Sequence, residues 1–153
     1  MIRREINMKT YRIAFGCDPN ATEMKEHLIK VCEELGHTAI DLGSEDPIYA
    51  NVAFDVADAI VSGKAERGVL ICGTGIGMTI AANKVKGIYA ALLTDAYSAE
   101  RASKSNAANI ACMGAFTIGL RLGETLLRVW LDSEFDEKSA SKPKVQRIRD
   151  FEK

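Results

Sequence analysis

Histidine is nearly missing from this chain of 153 residues, occurring only as His27 and His37. That scarcity leaves few routes to histidine-based acid–base chemistry and little room for a histidine metal site. The four cysteines, Cys17, Cys32, Cys72 and Cys112, lack any close C-x-x-C spacing, which argues against structural zinc. Neither sign of charge dominates. Lysine and arginine number 20, aspartate and glutamate 21, and the net charge of -1 argues against a basic nucleic-acid binder. No apolar run approaches the roughly 18 residues needed to cross a bilayer, so no membrane partner is expected. The charged start, Met1 to Asn7, lacks the apolar core of a signal peptide. Without paired cysteines or an export signal, the thiols read as reduced and the protein as cytoplasmic. Chemistry must then come from carboxylates, hydroxyls, backbone amides or a thiol.

What is present is ordinary for a globular chain: 47% hydrophobic and 27% charged residues, enough for one domain with one sizeable core. Residues 8–153 read as that domain. Residues 1–7 read as an N-terminal extension, either disordered or preceding an alternative start.

Strand and helix patterns alternate along it. Residues 11–17 read as the first strand. Asn20 with Glu23 forms a variant capping box, and Met24, Leu28, Val31, Cys32 and Leu35 follow at helical spacing up to Gly36. Residues 38–42 read as strand two, 49–62 as a helix and 68–72 as strand three. A glycine loop then enters a helix through Ile80 to Val85. Residues 88–93 read as strand four, 96–104 as a helix, 109–112 as strand five and 116–131 as a long helix. Residues 145–151 read as a short final helix. This pattern predicts an α/β fold: a single-domain Rossmann-like, flavodoxin-like five-stranded parallel sheet with helices on both faces and a C-terminal tail helix. The crossover rule favours strand order 2-1-3-4-5. Ligands of such sheets bind beyond the carboxyl ends of the strands, which selects Asp18, the 72–77 loop, Asp95 and Met113-Gly114.

The most informative of these is Cys72-Gly73-Thr74-Gly75-Ile76-Gly77-Met78. Three glycines in five positions let several amides turn toward one point, as a phosphate or a developing oxyanion requires. A tight strand-to-helix turn is the plainer reading. A dinucleotide fingerprint is excluded because the third glycine comes one place early and the loop follows strand three. A Walker A loop needs Gly-Lys-Ser/Thr, and Met78 and Thr79 after Gly77 do not supply it, because methionine stands where lysine belongs. Cys72 directly precedes the loop, where a helix amino end favours a thiolate able to act as base or nucleophile. Cys17, Cys32 and Cys112 read as packing residues.

The run Ile71-Cys72-Gly73-Thr74-Gly75-Ile76-Gly77-Met78-Thr79-Ile80-Ala81-Ala82-Asn83-Lys84 closely resembles the ribose-5-phosphate isomerase B family, which includes the galactose-6-phosphate isomerase subunits. The resemblance extends over residues 9–148. It includes Gly16-Cys17-Asp18, Asp41-Leu42-Gly43, Gly87-Ile88, Asn106 with Asn109, Met113-Gly114 and Trp130-Leu131. It implies an aldose–ketose isomerase that moves a proton between carbons 1 and 2 through an enediolate. By this resemblance Cys72 is the base, and the amides of Gly73, Thr74, Gly75, Ile76 and Gly77 form the anion hole. Thr74 and Asp18 handle substrate oxygens, and Asn106 polarises the reacting oxygens. No metal or organic cofactor is implied. The implied assembly is a homodimer or homotetramer with a shared active site. A second reading, from another class, is a non-catalytic sugar-phosphate binding module.

Departures from the family narrow the substrate. The family has Asp-His after strand one, where this chain has Asp18-Pro19, and His-Asn before strand five, where it has Ser105-Asn106. The family's tail Arg-His and further arginine fall at Ala140-Ser141 and Lys144. Neither His27 nor His37 can replace these residues, and Arg101, Lys142, Lys144 and Arg147 become the candidate phosphate cations. In the family the histidine before strand five is assigned to ring opening. A pentose 5-phosphate closes a furanose through its 4-hydroxyl. A tetrose 4-phosphate has that oxygen phosphorylated and stays open-chain or hydrated. The missing histidine therefore favours a four-carbon substrate such as erythrulose 4-phosphate over ribose 5-phosphate. Tyr49-Ala50-Asn51, the segment from Asp95 to Arg101, and Ser105-Asn106 resemble the erythrulose-4-phosphate isomerase branch of erythritol catabolism.

Overall fold

Strands β1 (Arg12–Cys17), β2 (Thr38–Asp41), β3 (Arg67–Cys72), β4 (Ala90–Leu92) and β5 (Ile110–Gly114) are parallel at every pairing. They are followed in turn by helices α1 (Thr22–Glu34), α2 (Tyr49–Val61), α3 (Ile76–Ala82), α4 (Ala96–Lys104) and α5 (Leu120–Leu131), with α6 (Lys142–Phe151) last. This computed structural model describes residues 9–152. The extension read at residues 1–7 lies outside the described residues.

The sheet order is β2-β1-β3-β5-β4, not the expected 2-1-3-4-5. Burial accounts for the exchange. Every residue of β5 is buried, whereas the three residues of β4 are only half-buried. The short strand takes the edge, and the longer, fully buried one fills the gap beside β3. Right-handed crossovers then dictate the helix faces. Connections running one way along the sheet place α1 and α4 on one face, where they join α5. Their core holds Phe15, Leu28, Val69, Ala102, Leu126 and Trp130. Connections running the other way place α2 and α3 opposite, around Val56, Leu70, Met78, Ile110 and Cys112.

Several boundaries differ from expectation. Asn20 is not the cap of α1. Asp18 instead caps a short 3-10 turn, Pro19–Ala21, by accepting from Asn20 N at 3.0 Å, because Pro19 suits the first position of such a turn. α5 begins at Leu120 rather than 116, since residues 115–118 turn back against the glycine loop. α6 begins three residues early, at Lys142, with Pro143 in its first turn.

At the amino edge of the sheet, His37 is buried and its Nδ1 accepts from Tyr11 N at 3.1 Å. Burial first, and the nearby Arg67 guanidinium second, hold the imidazole below its ordinary 6.5, against the opposing pull of Asp132. A depressed histidine stabilises the fold while neutral. Its contribution is complete above 6.5 and is lost as pH falls from 6.5 toward the folded value, because the unfolded chain takes the proton first. Melting curves between pH 7.5 and 5.5, on the order of one unit either side of that value, should show a falling Tm. His37→Asn keeps an acceptor for Tyr11 without a titrating ring and should flatten the slope. Equal slopes in both proteins would remove His37 as its cause.

Candidate active site

The carboxyl end of β3 is where the chain parts in two directions. β3 feeds α3 on one face, while its neighbours β1 and β5 feed α1 and α5 on the other, leaving a crevice above Cys72. Cys72 ends β3 with its side chain only 5% exposed. Gly75 N–H donates to Cys72 Sγ at 3.2 Å, aiming a partial positive charge at the sulfur. Gly75 achieves this from the left-handed region, φ 77°, as the N-cap of α3. A Cβ there would lie 2.6 Å from Leu92 Cδ1 and 2.9 Å from the backbone C and O of Met113. The loop is thus locked onto β5. Ala115 N donates to Cys72 O at 2.8 Å and Phe116 N to Gly73 O at 2.9 Å.

Two of the five amides expected to form the anion hole are engaged within the chain, Gly75 N on the sulfur and Ile76 N on Thr74 Oγ1 at 3.2 Å. Those of Gly73, Thr74 and Gly77 make no bond among the described residues. Thr74 is exposed, and its hydroxyl keeps its proton to donate. Asp18 joins the same edge, with its N–H on Ile71 O at 3.2 Å. Its Oδ1 is spent on the turn after β1, and Oδ2 remains for a sugar hydroxyl. Asp95 is withdrawn from this role because it caps α4, accepting from Ser98 N and Oγ and from Thr94 Oγ1.

The other thiols are packing residues, as expected. Burial pushes Cys17 up to about 11, and Cys32 and Cys112 up to about 12. Cys112 lies one pleat below Cys72 on the same face, since Leu70 pairs with Cys112 and Cys72 with Gly114.

Two aromatic rings border the loop without having been anticipated as parts of a site. Phe116, 73% exposed, lies over Gly73, and Tyr49, at the start of α2, lies over Gly77. The signal for the second is a glycine at position 77 with no positive φ to require it.

Asn106, Arg101 and Lys144 are not brought to this crevice. Asn106 is exposed and precedes β5, whose last residue, Gly114, is the one level with Cys72. The length of β5, about 13 Å at 3.3 Å per residue, separates the two ends. Arg101 lies near the end of α4, bonded to Glu100 Oε1 at 3.0 Å and Ser105 Oγ at 3.1 Å. The segment entering α6 bonds to the end of α4, Asp136 N to Lys104 O, and Glu152 beyond α6 accepts from Gly87 N and Tyr89 Oη. Lys144 therefore belongs to the amino edge as well. Charge is divided accordingly. The carboxyl-edge segments 18–21, 42–48, 73–75, 93–95 and 115–119 contain no lysine or arginine, but do contain Asp18, Glu45, Asp46 and Asp95. Among the described residues no cluster of three metal-binding side chains occurs, and no helix is long and apolar enough to cross a membrane.

A family model described as ribose/galactose isomerase matches residues 13–148. A D-erythrulose-4-phosphate isomerase of Pectobacterium atrosepticum is 46% identical over 144 residues, spanning 92% of this chain and 94% of that protein. A ribose-5-P isomerase B of Listeria innocua is 49% identical over 127 residues, 81% of this chain and 86% of that one. The structure of the type B ribose 5-phosphate isomerase of Trypanosoma brucei shares the fold at a TM-score of 0.89 and 32% identity, covering 94% of this chain and all of that one.

Proposed function

The chain belongs to the ribose/galactose isomerase family, and from that premise we propose that it isomerises a four-carbon sugar phosphate, erythrulose 4-phosphate, with Cys72 as the base. It is an aldose–ketose sugar-phosphate isomerase, not a non-catalytic binding module. The observation that carries the choice of base is the placement of Cys72 at the floor of the crevice, with Gly75 N–H on its sulfur.

The reaction needs no external reductant or metal to balance. The thiolate takes a proton from C1 of the ketose, the C–H electron pair forms the C1–C2 double bond, and O2 becomes the enediolate oxygen. The loop amides of Gly73, Thr74 and Gly77, which make no bond among the described residues, are the donors left to receive that charge. The thiol then returns its proton to C2. The hydroxyl proton moves from O1 to O2, and the aldose results. Thr74 and Asp18 are suited to hold the remaining hydroxyls.

The phosphate needs a cation, which the strand-to-helix segments of the carboxyl edge do not carry; Lys25 of α1 is engaged by Asp41 Oδ1 at 2.7 Å, and Arg121 lies in the first turn of α5. A second copy can supply the cation, together with Asn106, from an amino edge and tail that carry Arg101, Lys142, Lys144 and Arg147. Exposed apolar residues on α2 and α3 (Phe54, Ile76, Ile80) and on α6 (Ile148, Phe151) support such association. We therefore read the protein as a cytoplasmic homodimer or homotetramer whose site draws on two copies.

Substrate choice is tested by assaying purified protein on erythrulose 4-phosphate and ribose 5-phosphate side by side. The open-chain argument predicts a kcat/KM at least about tenfold higher for the tetrose, a difference of about 1.4 kcal/mol in transition-state stabilisation. A faster reaction with ribose 5-phosphate overturns it.

A further inference from the structure

Gly77 lies on the first turn of α3 with an ordinary backbone, so no left-handed conformation calls for glycine there. Alanine would ordinarily serve a helix better. What forbids a side chain is Tyr49. A Cβ on Gly77 would lie 2.5 Å from Tyr49 Cε2 and 2.8 Å from Tyr49 Oη. The phenol ring therefore rests directly on the loop that follows Cys72.

Its own position is firmly set. Asp46 Oδ1 accepts from Ile48 N at 2.8 Å, and Asp46 Oδ2 accepts from Asn51 Nδ2 at 3.1 Å, which pins both sides of Tyr49 at the entry to α2. A ring held this way would fit ordinary packing if it were buried and its hydroxyl were used. Instead Tyr49 is 44% exposed, and Oη makes no hydrogen bond among the described residues. The result is a rigid apolar wall carrying one unspent donor and acceptor, at the rim of a crevice whose other polar groups are amides, Thr74 and Asp18.

We propose that Tyr49 is a further substrate-binding residue, its ring walling the crevice on the α2 side and its hydroxyl bonding an oxygen of the bound sugar phosphate. The inference rests on the isomerase site described above and adds to it a residue outside the glycine loop. It also explains Gly77, whose missing side chain makes room for the ring. A fixed phenol beside the loop favours a short, extended, hydroxyl-rich chain over a bulkier cyclic sugar.

The test compares wild type with Tyr49→Phe, Tyr49→Ala, Gly77→Ala and the Tyr49→Ala/Gly77→Ala double variant, on whichever sugar phosphate the wild type turns over fastest. Tyr49→Phe keeps the wall and should raise KM about three- to tenfold while kcat stays within about twofold, as expected when a binding hydrogen bond is lost. Gly77→Ala should lower kcat/KM at least about tenfold through the displaced ring, and Tyr49→Ala in that background should recover part of the loss, a non-additivity expected of residues in contact. A Tyr49→Phe enzyme with unchanged KM overturns the proposal, as does an additive double variant. A wild type inactive on every sugar phosphate counts against the substrate reading instead. In that case calorimetric binding of erythrulose 4-phosphate to wild type and Tyr49→Phe still decides, since equal Kd values overturn the role of the hydroxyl.

Discussion

Cys72→Ala should lower kcat about a thousandfold or more, with KM changed only a few-fold, because a positioned proton-transfer group contributes about 10²- to 10⁴-fold and little to ground-state binding. The fold should survive. The side chain is buried at 5% exposure, but it ends its strand at the rim of the α2/α3-side core, and the change to alanine removes only one sulfur atom. Cys112→Ala is the matching control. Its thiol lies one pleat below, held protonated by burial, and the variant should lose stability but keep its turnover. A Cys72→Ala enzyme with wild-type kcat would remove the thiol from the mechanism. The same variant probes the second copy. Cys72→Ala and Asn106→Ala proteins, each nearly inactive alone, should regain activity when unfolded together and refolded as a mixture. A dimer formed at random has one intact site in half of the molecules, so about a quarter of wild-type activity is expected. No recovery from two inactive variants would mean that Cys72 and Asn106 do not meet across two copies, and an active Asn106→Ala protein would place Asn106 outside the site.

Gly75→Ala should be the most damaging single-methyl change in the loop. Two penalties combine there. A non-glycine residue at φ 77° costs about 1–2 kcal/mol. The added Cβ would also meet Met113 C and O at 2.9 Å, which belong to the interior strand β5 and cannot yield, and Leu92 Cδ1 at 2.6 Å. Overpacking of this kind costs about 1–3 kcal/mol more. The sum, about 3 kcal/mol, corresponds to a drop in Tm of about 6–12 °C for a chain of this length. Because Gly75 N–H is the group that addresses Cys72 Sγ, kcat/KM should also fall about a hundredfold, the scale seen when one preorganised donor is removed. Gly36→Ala separates the two penalties. Gly36 has φ 88° but nothing within 4 Å of an added Cβ, so it should show only the smaller stability loss and no change in rate. Equal effects at both positions would mean that the contact with β5 is unimportant.

Much of this architecture is legible in the residues. The alternation of short apolar runs with periodic helices specifies a parallel α/β sheet, and every expected strand and helix is present. Cys72 and its loop stand out because several close-set glycines between a strand and a helix are costly to keep without a use. The lone histidine pair, set beside the family's pattern, points toward a substrate that needs no ring opening. The polarity of a parallel sheet even implies that Asn106, entering a strand, lies at the far end from Cys72, leaving one.

What the sequence could not decide were the matters settled by competition in space. Local pattern sees β4 and β5 as similar apolar segments. Only their rival claims on the buried position beside β3 send the three-residue strand to the edge and bring Gly114 against Thr74. Asn20 and Asp95 illustrate the same limit. A carboxylate or amide near a helix start can cap, bind or do neither, and the backbone amides within reach determine which. Arg101 reads as a free cation until Glu100 and Ser105 are seen on its guanidinium. Tyr49 reads as the first residue of a helix until its ring is found on Gly77, 28 residues away in sequence. Periodicity and motif record what each segment does with its own neighbours. Which distant groups meet depends on the packing of the whole chain, and so the glycine loop was determined by sequence while its walls were decided by the tertiary structure.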